Sequence, residues 1–173
     1  RPPVPPLCPY PSLCRSDRVP APFGLVAAAA AGSDVKSLIK HTLAMVRSCG
    51  ADVPPHENPG VQLGLAMGLA GLEGRDKVTI SSSSKIADFG AWAEQLIAES
   101  TGKDGKGLIP IDGEPLGTPD AYGHDRFFID IRVEGDNDAA HAGRLAALET
   151  AGHPVVRRVR KSIDPSAQAF YRY

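Results

Sequence analysis

The stretch Gln95–Gly107, QLIAESTGKDGKG, places a glutamate in the last turn of an apolar-periodic segment and follows it with glycines and lysines. On a helix turning about 100° per residue, Gln95 and Glu99 are neighbours beside Trp92, at the edge of the apolar face. A carboxylate at such a border loses hydration and becomes a better base near neutral pH. We expect Glu94, nearly opposite, to lie in water. The spacing makes Glu99 a candidate general base, and a solvated surface glutamate is the commoner alternative.

Two loops near this segment have the composition of anion-binding loops without the matching pattern. GKDGKG lacks the spacing of a phosphate-binding Walker A loop, so we interpret Lys103 and Lys106 as solvated loop lysines. The serines Ser81–Ser84 follow a predicted strand and precede a predicted helix, where backbone N–H groups can bind an anion. We predict first that they cap the helix and second that they form a ligand loop.

The composition limits the classes of function. A chain of 173 residues with 42% hydrophobic residues can bury the core of one domain. Its 19 basic and 20 acidic residues leave a net charge of −1, which argues against nucleic-acid binding. The longest apolar run, FGLVAAAAAG, is about half the length that crosses a bilayer. Cys8, Cys14 and Cys49 lack paired spacing, which favours free thiols in a cytoplasmic protein.

The order of elements predicts the fold class. Residues 1–21 are proline-rich, so we expect a disordered lead-in before a domain at residues 22–173. Helical periodicity marks SDVKSLIKHTLAMVRSCG, VQLGLAMGLAGLEG, residues 86–101 and NDAAHAGRLAALETAG. Strand composition marks KVTISSSS, GLIPI, RFFIDIRVEG and HPVVRRV. This alternation predicts an α/β fold, a three-layer αβα sandwich with a mainly parallel sheet.

One longer pattern resembles a known family. EQLIAESTGKDGKG, with NPGVQLG upstream and GEPLG downstream, is similar to the second sugar isomerase (SIS) domain of glucose-6-phosphate isomerases, most closely the form fused to transaldolase in some bacteria. The similarity covers about residues 22–173, and ESTGK is a specific motif within it. It implies an incomplete SIS-like fold and an enzyme that interconverts glucose 6-phosphate and fructose 6-phosphate without metal or organic cofactor.

The resemblance also implies roles for individual residues. Glu99 corresponds to the base that moves a proton between C2 and C1 of the opened sugar through a cis-enediol(ate). Gln95 corresponds to a residue that holds the substrate, and its place one helical turn away agrees with that role. The family uses a histidine for ring opening, and His124 in AYGHDRFF lies in the corresponding region, although its surroundings match poorly. A lone loop histidine without catalytic function is the alternative there.

Other family features have no counterpart in this sequence. The arginine that stabilises the enediolate is replaced by CPYPSLCRSDRVPA, in which neither Arg15 nor Arg18 fits the motif. The first SIS domain and the lysine-bearing C-terminal helix also find no match. We therefore expect a cytoplasmic fragment with little activity of its own, a homodimer in the complete protein, and any transaldolase domain outside this chain. A sugar-phosphate-binding SIS module and an inactive remnant of a bifunctional enzyme are the alternatives.

Overall fold

The structure, a computed structural model, describes residues 22–160. The predicted lead-in and the last part of the predicted domain lie outside the described residues. Within the described range the helices are α1 (Pro22–Ala30), α2 (Val35–Ser48), α3 (Pro59–Leu72), α4 (Asp88–Thr101) and α5 (Ala139–Thr150). The strands are β1 (Lys77–Ser82), β2 (Ile109–Asp112), β3 (Arg126–Val133) and β4 (Val155–Arg160).

The helices follow the predicted periodicity, with two differences. The sequence pattern does not predict α1, because its alanine-rich run has no amphipathic character. The segment predicted to start at Ile86 instead begins with a short 3-10 turn, Ser84–Ile86, so α4 starts at Asp88. Short polar side chains accept amide hydrogen bonds at the starts of α2, α3 and α5, and these caps are Asp34, Asn58 and Asp138. Across residues 22–160 the structure contains no helix with the length and apolarity that spanning a membrane requires.

The strands form one fully parallel sheet in the order β2-β1-β3-β4. β1 pairs with both β2 and β3, and the register places Ile80 opposite Asp112 on one side and Ile129 on the other. Parallel strands need long crossover connections, which α4 supplies between β1 and β2 and α5 between β3 and β4. This arrangement confirms the predicted α/β class with a parallel sheet.

Alternate residues of the central strands face opposite sides of the sheet. α3 and α4 pack on one side, where the buried core consists of Ala70, Val78, Ile80, Ala93, Phe127 and Ile129. α5 and the loop before β3 pack on the other side, with Leu116, Phe128, Leu145 and Leu148 buried. Because helices cover both faces, the described residues form the expected three-layer αβα sandwich.

Candidate active site

Helix α4 carries both residues of the predicted base site. Its inner side is close to the sheet at Gly90, where a Cβ atom would lie 1.7 Å from Asp112 Oδ1. Ala93 is buried below it. Gln95 and Glu99 are exposed on the outer side, four residues apart and therefore one turn from each other. The helix thus presents an amide and a carboxylate together, where a ligand can meet them from outside.

The prediction that the Glu99 carboxylate loses hydration at an apolar border is wrong within the described residues. Glu99 is exposed, and Trp92 packs against the core beside Phe89, with ring centroids 5.6 Å apart. Glu94 is exposed, as predicted. It also contacts the sheet, because its Oε2 accepts a hydrogen bond of 3.0 Å from the Asp112 amide. A base at Glu99 therefore needs another surface to exclude water from its carboxylate.

The turn after Glu99 is a small β-hairpin. Lys103 and Lys106 exchange two backbone hydrogen bonds of 2.9 Å, and the residues between them, Asp104 and Gly105, have φ values of 55° and 71°. Two successive positive φ values define a type I′ turn, which an Asp-Gly pair favours. Thr101 closes the base of the hairpin: its hydroxyl donates to the Ile97 carbonyl and accepts from the Leu108 amide. The two lysines are exposed, in agreement with the predicted solvated positions.

His124 lies in the loop before β3 and is exposed. Its carbonyl oxygen accepts a hydrogen bond of 2.8 Å from Arg75 Nη1. The neighbouring Asp125 forms an ion pair with Lys77, with 2.6 Å between Oδ2 and Nζ. This loop and the end of α4 both lie at the amino-terminal edge of the sheet. No hydrogen bond or ion pair within residues 22–160 joins His124 to Glu99.

A cavity of about 380 Å³ occupies the opposite, carboxyl-terminal edge. It lies between the ends of β1 and β2, the loop that follows β2, and the first turn of α5. Its polar lining consists of Ser81, Ser82, Asp112, Glu114, Asp138, His141 and Arg144. Parallel α/β sheets commonly bind ligands at this edge. The cavity is therefore a second candidate site, spatially separate from the Gln95–Glu99 pair.

A buried carboxylate organises one wall of this cavity. Asp130, 4% exposed, accepts at Oδ1 from the Ser81 hydroxyl at 2.8 Å and from Arg132 Nε at 3.0 Å. His141 Nε2 lies 2.9 Å from the same oxygen and 3.5 Å from Ser81 Oγ. One ring nitrogen thus faces both partners, whereas a Ser-His-Asp triad uses the two nitrogens separately. The arrangement fixes side chains without activating the serine as a nucleophile.

Sequence reasoning did not select Asp130 or His141. The available signal was an aspartate inside the apolar strand RFFIDIRV, since an acid in such a run needs buried donors. His141 gave no signal, because it meets Asp130 and Ser81 only in the folded chain.

The predicted serine loop is partly strand, because Ser81 and Ser82 are the last residues of β1, and no serine side chain caps the 3-10 turn or α4. Ser83 is fully buried, and its hydroxyl accepts a hydrogen bond of 3.0 Å from the Val133 amide. Ala87, the residue before α4, makes no side-chain cap bond. The predicted capping role is therefore wrong: Ser81 donates to Asp130 within β3, and Ser83 accepts from Val133 at its end. The second prediction, a ligand loop at Ser81–Ser84, stays a prediction; Ser81 and Ser82 line the cavity.

Two carboxylates at this edge have shifted pKa values. Partial burial raises the pKa of Asp112, which the nearby Glu94 charge raises further, against a backbone hydrogen bond from Gly113. Hydrogen bonds from Ser83 and then Arg132 lower the pKa of Asp136. Residues 22–160 contain no group of three or more His, Cys, Asp or Glu side chains placed to hold a metal ion.

Comparisons with known proteins give partial matches to one enzyme. Over 139 residues the chain is 33% identical to a glucose-6-phosphate isomerase from Rubrobacter xylanophilus, a match that covers 78% of this chain and 29% of the relative. Over 88 residues it is 33% identical to a glucose-6-phosphate isomerase from Lactobacillus helveticus, covering 50% of this chain and 20% of the relative. The chain therefore spans less than a third of the length of these curated relatives.

The structural comparison supports the fold alone. A crystal structure of a hypothetical protein from Thermus thermophilus matches 87% of this chain and 46% of its own length, with a TM-score of 0.61 and 18% identity. No protein-family model matches the sequence. Taken together, the partial sequence matches support a distant relationship between this chain and the glucose-6-phosphate isomerases.

Proposed function

We propose that this chain is the second SIS portion of a glucose-6-phosphate isomerase, as in the forms fused to transaldolase, acting in glycolysis and gluconeogenesis. The reaction interconverts glucose 6-phosphate and fructose 6-phosphate. The observation that carries this proposal is that Gln95 and Glu99 lie one turn apart on α4, within the ESTGK motif and the turn before it. The distant similarity to isomerases over 139 residues supports the same function.

The proposed chemistry assigns one proton transfer to Glu99. Its carboxylate removes the proton from C2 of the open-chain aldose, which produces an enediol(ate), and then returns a proton to C1 to give the ketose. Gln95 holds the sugar beside the carboxylate, and His124 assists ring opening. The proton leaves one carbon and returns to its neighbour, so the reaction requires no external oxidant or reductant.

Catalysis by Glu99 requires two features that its surroundings in this structure do not provide. The enediolate carries negative charge that a cation must stabilise, and the base must be shielded from water. Glu99 is exposed, and no ion pair within residues 22–160 holds a cation beside it. We propose that further isomerase segments supply these groups in a cytoplasmic homodimer.

The test uses a chimera in which this chain replaces the matched segment of the Rubrobacter xylanophilus isomerase. Conversion of fructose 6-phosphate is followed in a coupled assay. Glu99→Gln should reduce the rate by at least about 100-fold, the usual lower contribution of a general base. Glu94→Gln, on the sheet-facing side of the same helix, is the matched control and should keep most of the activity. Equal rates for Glu99→Gln and the unmodified chimera would exclude Glu99 as the base.

The second candidate function is a sugar-phosphate-binding module or an inactive remnant. The exposure of Glu99 favours this candidate, because a binding protein does not need a dehydrated base. A folded chimera that binds fructose 6-phosphate without converting it would support the binding module. A folded chimera that neither binds nor converts the sugar would support the remnant.

A further inference from the structure

The hairpin after α4 holds an aspartate in an uncommon backbone conformation. Within residues 22–160, Asp104 is the one non-glycine residue with a positive φ, 55°, and Gly105 follows it with a φ of 71°. A residue with a side chain is strained in this left-handed region, although aspartate tolerates it better than most. Both residues are exposed in the turn. The turn therefore keeps Asp104 at the surface in a conformation that the free chain would leave.

The Asp104 carboxyl group is free to react with the backbone that follows it. Among the described residues it has no hydrogen bond or ion pair. The amide N–H of Gly105 likewise donates to no group in this part of the chain. Gly105 has no side chain that could block the approach of the Asp104 Cγ atom to the backbone nitrogen. Rotation about the bonds of Asp104 is therefore all that separates the two atoms.

Few contacts oppose that rotation. Lys103 and Lys106 exchange two backbone hydrogen bonds, and the Thr101 hydroxyl bonds the base of the hairpin. Exposed turns with so few bonds open locally at a small cost in free energy. In the open turn Asp104 can leave its positive φ and adopt the extended backbone in which Cγ reaches the Gly105 nitrogen.

We propose that Asp104 is a modification site, at which the chain rearranges spontaneously to an isoaspartyl linkage with Gly105. The Gly105 nitrogen forms a bond to Cγ, and the carboxyl hydroxyl and the amide proton leave as one water, which gives a cyclic succinimide. Water then adds to the former main-chain carbonyl carbon, and the bond from that carbon to the nitrogen breaks. The main chain now runs through Cγ. The mass is unchanged, and no oxidant or reductant is needed.

The rearrangement should open the hairpin permanently. An isoaspartyl linkage adds one carbon to the main chain of a two-residue loop, and a type I′ turn depends on the backbone angles of exactly two ordinary residues. The two hydrogen bonds between Lys103 and Lys106 cannot then both form. The turn that follows the Gln95–Glu99 pair thereby changes shape. The chemistry at Asp104 does not depend on the proposed isomerase reaction.

A second Asp-Gly pair, Asp112 and Gly113, provides an internal comparison. Asp112 is the last residue of β2, where it pairs with β1, and its amide donates to Glu94. Its carboxylate lies against Gly90 of α4. These contacts hold both the backbone and the side chain, so rotation of Asp112 would require α4 to separate from the sheet. Asp112 should therefore rearrange much more slowly than Asp104, although the dipeptide is the same.

The test is storage of the whole chain for several weeks at mildly acidic pH and body temperature, followed by peptide mapping. Isoaspartate at residue 104 and the succinimide, which is lighter by one water, should accumulate, and electron-based fragmentation distinguishes isoaspartyl from aspartyl peptides. The product at Asp104 should exceed that at Asp112 by at least about tenfold, because an exposed turn opens more easily than a packed strand end. Asp104→Glu keeps the charge and should abolish the product, since its longer side chain would have to close a less favourable ring.

Two further variants test the opening of the hairpin. Thr101→Val removes the hydroxyl at its base and should speed the rearrangement of Asp104 several-fold. Thr150→Val loses a hydroxyl bond within α5 and should leave the rate unchanged. The proposal is overturned if no isoaspartate forms at Asp104 in the folded chain, or if Asp112 rearranges equally fast. An unchanged rate in folded Thr101→Val would overturn the route through an open hairpin.

Discussion

Individual residues at the carboxyl-terminal edge show how polar groups can be stable inside an apolar sheet. Asp130 is buried, and its charge is balanced by Arg132 Nε at 3.0 Å and by hydrogen bonds from neighbouring side chains. Ser83 is fully buried and bonds the end of β3. Burying such groups is costly unless they are hydrogen-bonded. These hydrogen bonds therefore hold the carboxyl-terminal parts of β1 and β3 together beside the cavity.

At this scale the sequence predicted only part of the site. The helical spacing of Gln95 and Glu99 was sufficient to place both side chains on one side of α4. The network of Ser81, Asp130 and His141 joins residues 49 and 60 positions apart. Local periodicity contains no information on contacts over such separations, so these residues could not be selected from the sequence.

The pH dependence of stability should report the pairing of Asp136. Hydrogen bonds from Ser83 and Arg132 hold its folded-state pKa below its ordinary value of 3.8. A group with a lowered folded pKa stabilises the fold above its unfolded pKa, and this contribution is lost as pH falls through the folded pKa. Asp136→Asn should therefore lower the urea midpoint at pH 7, and the difference should shrink below pH 3.8.

The matched control for this change is Glu134→Gln, in the same turn. Glu134 is exposed and has no hydrogen bond or ion pair among the described residues. Glu134→Gln should leave the urea midpoint nearly unchanged both at pH 7 and below pH 3.8. A loss for Asp136→Asn that stays constant from pH 7 down through the acid range would contradict the assignment to its charge.

Among the elements, α4 and the hairpin after it form one unit. The β-strand composition and helical periodicity predicted all four strands and helices α2 to α5, because each matches a regular hydrophobic pattern. For the hairpin the sequence predicts only a glycine-rich loop. Its hydrogen bonds depend on the φ values of Asp104 and Gly105, which composition suggests but does not fix.

Thr101 should contribute more to stability than its surface position suggests. Its hydroxyl bonds both the Ile97 carbonyl and the Leu108 amide, so Thr101→Val leaves an amide at the start of β2 without its partner. An unsatisfied, partly buried donor costs about 1–3 kcal/mol. Urea denaturation should show a loss in that range.

Thr150 provides a matched control for this prediction. Its hydroxyl also donates to the carbonyl four residues earlier, Ala146, but no described amide donates to it. Thr150→Val should therefore cost clearly less than Thr101→Val. Equal losses for the two variants would show that the Leu108 bond adds nothing to the stability of the hairpin base.

At the scale of the whole molecule, the two candidate sites lie at opposite edges of one sheet. Residues near Glu99 and His124 occupy the amino-terminal edge, and the cavity occupies the carboxyl-terminal edge. The parallel sheet explains this separation, because α4 runs back along the strands from one edge to the other. The exposed pair and the half-open cavity are therefore separate surfaces of the same sheet.

The isolated chain should differ from the chimera in activity far more than in fold. The chain spans 29% of the Rubrobacter xylanophilus isomerase, and the exposure of Glu99 leaves its carboxylate hydrated. A hydrated base with no neighbouring cation lacks both the exclusion of water and the stabilisation of the transition state. Transition-state stabilisation alone contributes about 100-fold or more to the rate. In the coupled assay the isolated chain should convert fructose 6-phosphate at least about 100-fold more slowly than the chimera, with both preparations folded by circular dichroism. Comparable rates would mean that residues around Glu99 suffice for catalysis, contrary to the need for further segments proposed above.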